Sequence, residues 1–457
     1  MEGRCAGLGA GRCRFQTYNF SFLDRFTVTT WRKVTISDVA DEVTVGHVGP
    51  MASEYVDKGI PFLRSLNIEP FNIKCDGVKF ITPSFHKRLQ KSSLRPGDVV
   101  IVRTGKPGTC AVIPDWLLEA NCSDVVIVRC SERVRPRFLC YVVNSVAGHH
   151  ISSHIVGAVQ QHFNVGSART LEFLLPSIEG QDAILAILGA LDDKIDLNRR
   201  TNETLEAMAR ALFRDWFVDF GPTQAKMAGQ TPYLAPEIWA LFPDRLDDEG
   251  KPEGWKTAAF SEFVSILTGG TPKTSIADYW NGDIPWFSVV DTPADSDIYV
   301  FDTAKKITKD GLDNSAASIL PEDTVIITAR GTVGKLAMTH SPMTMNQSCY
   351  GLRGTNGIGQ YLVYQSIKNS LSEIKNNTHG SVFDTITRQT FSSISANLPS
   401  QEIAQSYEKM AAPFFQKILE NVSQTQHLAQ LRDLLLPKLM SGAIRIQDAE
   451  KMVEEAL

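Results

Sequence analysis

The feature of this sequence that most constrains its fold is an internal repeat with an offset of 219 to 224 residues. Trp31 opens the first copy and Trp255 opens the second. A Gly-x-x-Gly motif follows in each copy, at Gly105 with Gly108 and at Gly331 with Gly334. The chain of 457 residues is long enough for two to four domains. The repeat indicates that one architecture occurs twice within it.

Each copy ends in a segment whose apolar residues recur in alternating steps of four and three, which indicates a coiled-coil seam. The seam positions are Ile184, Leu188, Leu191, Ile195, Leu205, Ala209, Leu212 and Trp216 in the first copy, and Ile403, Tyr407, Met410, Phe414, Gln424, Leu428, Leu431 and Leu435 in the second. Polar residues interrupt both seams in the same heptad, Asn198 and Asn202 in one and Lys417 and Asn421 in the other. Buried polar residues fix register in coiled coils, so these four are expected to set helix register, with contact to another protein chain as the alternative. Pro413 should bend the second helix.

The segment before each helix is rich in β-branched runs, such as 99–102 and 324–328, separated by Gly, Pro, Asn and Asp. This pattern is typical of short strands. The expected fold class is α/β (α+β), with two mixed, strand-rich domains separated by two long antiparallel coiled-coil helices and related by a pseudo-twofold axis. The predicted division is an N-terminal extension at 1–24 with disorder expected, a first domain at 25–177, a spacer helix at 178–220, a linker at 221–254, a second domain at 255–399, a second spacer helix at 400–440 and a tail at 441–457.

The formal net charge of −5 is unusual for a nucleic-acid-binding protein, but the charges are unevenly distributed. Residues 31–176 hold 17 Lys and Arg against 13 Asp and Glu, whereas residues 218–254 hold 3 against 7. The first domain is therefore the better candidate for a phosphate-facing surface. The eight cysteines lack metal-ligand spacing, and no run approaches the ~18 apolar residues of a membrane span. We expect a cytoplasmic protein with no metal site.

Two homologous domains joined by rigid helices are held at a fixed distance from each other. A helix of about 35–38 residues is roughly 55 Å long, at about 1.5 Å per residue. If such helices pair antiparallel, the two domains are related by a twofold axis, as two half-sites in B-DNA are. The distance between half-sites follows the helical turn of B-DNA, about 34–36 Å. This geometry favours a DNA-binding protein that reads a bipartite, asymmetric site with an unread gap. A two-headed protein–protein scaffold without DNA specificity is the alternative.

The sequence contains no recognisable catalytic constellation. The glycine spacing before Lys335 does not match a Walker phosphate loop. The acidic or amide residue followed by two prolines and an aromatic that adenine methylation needs does not occur. Asp244, Glu249 and Lys251 are the residue types of a metal-dependent nuclease, but Pro252 follows at once and leaves little room for a hairpin. The chain is therefore predicted to be non-catalytic, and this cluster to be part of a linker.

Four groups of residues together resemble one known family. They are Trp216-Phe217-Val218-Asp219-Phe220; Leu241-Phe242-Pro243-Asp244 running on to Pro252-Glu253-Gly254-Trp255; Gly269-Gly270-Thr271-Pro272 followed by Tyr279 to Trp286; and Leu434 to Gly442. In this order, on a duplicated chain, they resemble the DNA-specificity (S) subunit of type I restriction–modification systems. The resemblance extends from about residue 25 to the end, whereas residues 1–24 match nothing in the family.

The resemblance implies that the two globular segments are target recognition domains and that the helices are spacers. It also implies partners: double-stranded DNA, two methyltransferase (modification) subunits that use S-adenosylmethionine and, in complexes that also cut DNA, restriction/translocase subunits that use ATP and Mg. No cofactor is expected on this chain, and catalysis is expected on the partner subunits.

Candidate DNA contacts are polar residues in loops, because base edges and phosphates are read by such side chains. In the first domain they are Arg64, Asn67, Arg103, Thr104, Lys106, Gln160, Gln161 and Asn164. In the second domain they are Ser288, Arg330, Thr332, Lys335, Thr378 and Ser381. Trp280 and Trp286 are expected to pack in the core rather than stack on bases.

Overall fold

The computed structural model describes residues 31–153, 163–293, 297–378 and 385–457, without the side chains of 146–153 and 375–378. The N-terminal extension at 1–24 lies outside the described residues. The chain divides into two compact units, Met1–Asp193 with Leu428–Leu457 and Lys194–His427. Each unit contains one copy of the repeated strands and parts of both long helices.

The first copy consists of short strands with few helices until the long helix begins. Its elements are β1 (Arg32–Thr35), α1 (Ile36–Val39), β2 (Ala40–Val45), β3 (Tyr55–Val56), β4 (Ile60–Leu63), β5 (Ile68–Glu69), β6 (Asn72–Ile73), β7 (Lys79–Ile81), α2 (Pro83–Arg88), β8 (Ser93–Leu94), β9 (Val99–Val102), β10 (Cys110–Val112), β11 (Ala120–Cys122), β12 (Val125–Cys130), α3 (Pro136–Ser153), α4 (Val165–Arg169) and β13 (Glu172–Leu175).

These strands form two main sheets. One is antiparallel with the order β10-β9-β12-β2, and the other has the order β3-β7-β4-β11-β8, with β11 parallel to β4. β1 pairs with β13 and so joins the start of the domain to its end. All four residues of β9 and the first four of β12 are buried, which explains why these strands are continuous β-branched runs rather than alternating ones.

The two copies are joined by α5 (Ile178–Phe217), α6 (Gly221–Met227) and α7 (Pro236–Trp239). The second copy contains β14 (Lys256–Ala259), α8 (Phe260–Phe263), β15 (Val264–Thr268), β16 (Trp280–Phe287), β17 (Tyr299–Val300), β18 (Lys306–Ile307), α9 (Lys309–Asp313), β19 (Val325–Thr328), β20 (Leu336–Thr339), β21 (Thr344–Met345), β22 (Cys349–Gly354), α10 (Gln360–Asn369), α11 (Leu371–Thr378), α12 (Arg388–Ser393) and β23 (Ser395–Leu398). The chain ends with α13 (Gln401–Ser441) and α14 (Ile446–Glu454).

The second copy repeats most of the strand topology of the first, with β17 added at the edge of one sheet and three strands instead of five in the other. β14 pairs with β23 as β1 pairs with β13, and the order β15-β22-β19-β20 repeats β2-β12-β9-β10. The parallel pair of β16 and β21 repeats that of β4 and β11. The predicted mixed, strand-rich architecture and its duplication are therefore confirmed.

The two long helices run antiparallel within the second unit. Tyr407 Oη on α13 donates to the carbonyl of Ala209 on α5, at 3.3 Å. Asn421 Nδ2 donates to Asn202 Oδ1 at 2.9 Å, and Asn198 Nδ2 donates to Gln424 Oε1 at 3.0 Å. Residue numbers fall on α13 as they rise on α5, as antiparallel packing requires. Asn202 and Asn421 occupy the same position in the two copies, so the local axis of the helix pair passes between them.

Lys417 is not buried between the helices as these asparagines are. Its side chain is half exposed and pairs with Glu420 on the same helix at 3.0 Å, whereas Asn198, Asn202 and Asn421 are almost fully buried. The expectation that Lys417 sets register inside the seam is corrected, because a charged side chain at this point finds solvent and a neighbour of its own helix. α13 continues through Pro413 without interruption.

The family-like aromatic motifs meet in one cluster of the second unit. Trp216 is fully buried and packs edge-on against Phe242, with ring centroids 4.9 Å apart. The ring of Phe217 packs against those of Trp255 and Tyr407, with centroids 5.8 Å and 5.2 Å apart. The end of α5, the linker, the start of the second copy and α13 therefore share one core. None of the helices in the described part of the chain is long and apolar enough to span a membrane.

Candidate nucleic-acid interface

Four segments of the first copy meet at one edge through backbone hydrogen bonds. Ser123 N donates to the carbonyl of Leu63 at 3.0 Å, and Arg103 N donates to that of Asp124 at 3.4 Å. Phe163 N donates to the carbonyl of Arg103 at 3.1 Å. We call this the first loop edge, formed by residues 64–67, 103–108, 123–124 and 163–164. It brings together residues that lie up to 100 positions apart in the sequence.

The second copy builds the same edge with the same bonds. Asn346 N donates to the carbonyl of Phe287 at 2.8 Å, and Ala329 N donates to that of Ser348 at 2.8 Å. Ile386 N donates to the carbonyl of Ala329 at 3.0 Å. The second loop edge is formed by residues 288–291, 329–335, 346–348 and 385–386. Both copies therefore place four separate segments side by side.

In the first loop edge, Arg64 and Asn67 delimit a single turn of 3-10 helix. Arg64 Nη2 donates to the carbonyl of Gly77 at 2.7 Å, and the residue as a whole is partly exposed. Asn67 is 1% exposed, and its amide donates to the carbonyls of Lys74 and Asp76 while its oxygen accepts from Arg64 N. The expected role of Asn67 as a DNA contact is corrected, because its hydrogen-bonding groups already hold the loop together.

Ser288 occupies the position of Arg64 in the second loop edge. Its backbone N–H and its hydroxyl both donate to Asp291 Oδ2, each at 2.8 Å. The other oxygen of Asp291 accepts from Ala304 N at 2.6 Å. The turn is therefore the same in both copies, although its first residue is cationic in one and neutral in the other.

The hairpin between β9 and β10 presents the most cationic segment of the first loop edge. Gly105 and Gly108 have φ of 87° and 86°, conformations that favour glycine, and this places Lys106 exposed at the tip. Arg103 lies 3.9 Å from Asp124, and the Thr104 hydroxyl donates to the same carboxylate. Asp124 thus orients two of the predicted contacts, and Lys106 projects beyond them.

The hairpin between β19 and β20 repeats this turn. Gly331 and Gly334 both have φ of 80°. Arg330 and Thr332 are exposed beside them, and Lys335 is partly buried where β20 begins. The predicted residues Arg330 and Thr332 are therefore brought together at an exposed turn, as Thr104 and Lys106 are in the first copy.

The third loop is described only in part. Asn164 caps α4, because its side-chain oxygen accepts from Ser167 N at 2.9 Å. Gln160, Gln161 and Ser381 lie outside the described residues, and of Thr378 only the backbone, at the end of α11, is described.

Sequence analysis missed the connection from β11 to β12 and its counterpart in the second copy. Residues 123–124 and 346–348 are short polar runs next to buried strands, at matching positions of the repeat. Asp124 has φ of 57°, which marks a tight turn. The matching polar runs were a usable signal, but their position beside the hairpins depends on strand order.

Trp286 is buried as expected, whereas Trp280 is only partly buried. Trp286 donates from Nε1 to the carbonyl of Gly270 at 2.9 Å, and Trp280 packs edge-on against it at 5.1 Å. A Cβ on Gly269 would lie 2.2 Å from the carbonyl oxygen of Asn346. The Gly-Gly-Thr-Pro motif therefore permits the close approach of a neighbouring backbone, which a larger side chain at Gly269 would block.

The three residues of the suspected nuclease cluster do not converge on one site, because Asp244 pairs elsewhere. Asp244 pairs with Lys226 at 3.0 Å, whereas Lys251 pairs with Asp247 at 2.8 Å and with Glu249. The hydrogen bond between them raises the pKa of Lys251 and lowers that of Asp247, as in an ordinary ion pair of a turn. Over the described ranges, no three His, Cys, Asp or Glu side chains are grouped to hold a metal ion. The cluster is linker structure.

Comparisons with known proteins agree with this architecture. The family model described as "Type I restriction modification DNA specificity domain" matches the chain twice, at residues 29–207 and 252–430. The HindI type I restriction enzyme specificity subunit of Haemophilus influenzae is 28% identical over 323 residues, which cover 61% of this chain and 70% of that protein.

The MjaIX type I restriction enzyme specificity subunit of Methanocaldococcus jannaschii is 27% identical over 293 residues. The match covers 61% of this chain and 62% of that relative, less than two thirds of its length. The crystal structure of the S subunit of a type I restriction–modification system from M. genitalium shares the fold, with a TM-score of 0.51 at 14% identity. It covers 90% of this chain and 96% of that chain. The chain belongs to the family of type I restriction–modification DNA specificity domains and contains that domain twice.

Proposed function

We propose that this chain is a specificity subunit that reads a bipartite, asymmetric DNA site, with one half-site for each loop edge. The observation that carries the proposal is the presence of two loop edges with the same backbone and different side chains. Equivalent backbones would approach the duplex in the same way, and the side chains would decide which bases are accepted.

The differences between the edges support unlike half-sites. Arg64 in the first edge corresponds to Ser288 in the second, and Lys106 corresponds to Thr332. Arginine favours guanine, whereas hydroxyl side chains contact several bases with less discrimination. The proposed contacts are Arg64, Arg103, Thr104, Lys106 and Asn164 with Gln160 and Gln161 in the first half, and Ser288, Arg330, Thr332 and Lys335 with Thr378 and Ser381 in the second.

In this proposal the segments at 25–177 and 255–399 are the target recognition domains, and the long helices at 178–220 and 400–440 are the spacers. Residues 221–254 link them, and residues 441–457 form the tail. Family membership supports this division, and so does the return of β13 to β1 and of β23 to β14, which closes each domain before its helix begins.

We further propose that two modification subunits, using S-adenosylmethionine, dock along the spacer helices and methylate the site. Restriction subunits that use ATP and Mg would join complexes that also cut DNA. Leu197 and Met208 on α5 are about half exposed despite their apolar character, which supports a helix surface covered by a partner. The chain itself would supply recognition and no catalytic step.

Footprinting of the complex assembled with its modification subunits tests the proposal. We expect two short protected tracts separated by an accessible gap, and a steep loss of affinity with added salt because phosphate contacts release counterions. Methylated adenines should fall within the two tracts. A single continuous tract would refute two separate half-sites. Binding to no DNA at any salt concentration would favour the protein–protein scaffold.

A further inference from the structure

We propose that Leu66 and Val290 are apolar base-reading tips, each contacting the 5-methyl group of a thymine in its own half-site. The proposal rests on the proposed function, because it requires that the loop edges face DNA. It assigns a specificity role to two side chains that a search for polar contacts overlooks.

The first observation is exposure at equivalent positions. Leu66 is 75% exposed and Val290 is 81% exposed, and they are 224 residues apart, the offset of the repeat in this region. Within the described parts of the strand-rich segments 31–177 and 255–399, no other pair of exposed large apolar side chains lies at equivalent positions. A single exposed leucine is common on protein surfaces, but the same exposure in both copies, where the flanking residues differ, indicates a shared use.

The second observation is that both tips are held on the same short turn. Asn67 N donates to the carbonyl of Arg64 at 2.8 Å, and Asp291 N donates to that of Ser288 at 2.9 Å. The side chains of Asn67 and Asp291 accept from the backbone N–H of Arg64 and Ser288, at 3.1 and 2.8 Å. The residue before each of these acceptors is thereby held outward, so little conformational freedom would be lost on contact.

The third observation concerns the surroundings of the tips. Leu66 lies in the loop that follows Leu63, whose carbonyl joins it to residues 123–124 and so to the hairpin that carries Arg103 and Lys106. An apolar tip in a cationic edge suits DNA better than an apolar protein surface. In the major groove the only apolar group on a base edge is the thymine methyl group. DNA is therefore the occupant that fits both the tip and its neighbours.

Uracil substitution tests the proposal directly. The assembled complex is bound to a duplex that contains the site it methylates. Each thymine of the two half-sites is replaced in turn by uracil, which lacks only the 5-methyl group of thymine. We expect one uracil position in each half-site to weaken binding about fourfold, the effect of burying one methylene-sized group. Leu66→Ser should weaken binding to the duplex that keeps all its thymines about tenfold, and it should abolish the uracil effect in the first half-site alone. Val290→Ser should do the same in the second.

Leu118→Ser is the matched control, because Leu118 is 73% exposed in the first copy and the described part of the second copy has no exposed large aliphatic side chain at its counterpart. It should change affinity by less than about twofold, as a typical surface substitution does. All variants should unfold at the temperature of the parent protein. If no uracil position matters, or if the uracil effects persist in both serine variants, the tips do not read thymine, although specific binding by the parent complex would leave the proposed function intact. Absence of specific binding by the parent complex would instead refute the proposed function.

Discussion

The two loop edges have the same backbone but different chemistry. In both copies a hairpin with two glycines at φ between 80° and 87° lies beside a turn of 3-10 helix and a third loop, joined by corresponding hydrogen bonds. In the first copy an acidic residue, Asp124, orients Arg103 and Thr104, whereas Ser348 occupies the place of Asp124 in the second. Backbone hydrogen bonds fix the scaffold, so the side chains are free to diverge. This is what a protein needs to read two different half-sites with one architecture.

The contacts between each domain and its spacer helix differ in another way. They lie at equivalent positions in the two copies, but different kinds of interaction make them. In the second copy, Glu408 on α13 accepts from the N–H groups of Tyr361 and Leu362 at the start of α10, at 3.0 and 3.2 Å. The equivalent position in α5 is Gly189, where Arg137 of α3 lies against the helix and pairs with Asp193 at 3.0 Å. A partly buried carboxylate at a helix N-terminus connects domain and spacer helix in the second copy, and an exposed ion pair does so in the first.

The largest expected effect tests whether the aromatic cluster is a special feature of the second unit. Trp216→Ala removes a fully buried indole and should lower the free energy of unfolding by about 3–5 kcal/mol. Leu435→Ala, the equivalent change in α13, should cost about 2–4 kcal/mol because the side chain is smaller. Denaturant titration with fluorescence and circular dichroism measures both. Equal costs would mean that the aromatic cluster adds nothing to the second unit.

The next effect compares the two hairpins as phosphate or base contacts. Lys106→Ala and Arg330→Ala should each weaken DNA binding by about 1–3 kcal/mol, and a phosphate contact should also lower the salt slope by about 1. Binding of the assembled complex at several salt concentrations separates these cases. Lys451→Ala in α14, outside both loop edges, is the charge-matched control. Loss of affinity for every sequence alike would identify a phosphate contact rather than base readout.

A comparable effect concerns Asn202 and Asn421, the equivalent residues that bond to each other. Asn202→Leu leaves the Asn421 amide buried with one partner fewer and should cost about 1–3 kcal/mol of unfolding free energy. The double variant Asn202→Leu/Asn421→Leu should recover much of that loss, because a buried polar pair is often no more stable than an apolar one. Additive losses in a double-mutant cycle would show that the pair does not act as a unit. Loss of a single helix register in the double variant would support the predicted role in register.

The smallest effect tests the contacts between domain and spacer helix by pH. Burial raises the pKa of Glu408 above the ordinary value of 4.5, against the opposing effect of its backbone hydrogen bonds. The folded state therefore holds the proton more tightly than the unfolded state, so this group's contribution to stability is complete below pH 4.5 and is lost as the pH rises through the folded pKa. Glu408→Gln should flatten this part of the stability profile between mildly acidic and neutral pH. If the stability profile of Glu408→Gln equals that of the parent protein, ionisation of Glu408 does not destabilise the folded state.

Much of the architecture was predictable because it depends on local patterns. The seam residues Ile184, Leu188, Leu191 and Ile195 are buried as their spacing predicted, and the glycine pairs mark hairpins in both copies. Lys417 was not predictable in the same way, because heptad spacing gives the approximate face of a helix and a long charged side chain at its border turns to solvent. The division of roles within loops was equally hidden. Asn67 and Lys106 are both polar loop residues, yet one is buried in its own loop and the other is exposed at a tip.

The sequence by itself determined that the chain is duplicated, that each copy is strand-rich and ends in a long helix, and which family it belongs to. These properties follow from periodicity and motif order, which are local along the chain. Only the tertiary structure decided which loops lie side by side, because strand order and the parallel pairs of β4 with β11 and β16 with β21 join segments far apart in sequence. It also decided that Leu66 and Val290 are exposed at equivalent tips, since exposure depends on what the rest of the fold leaves uncovered.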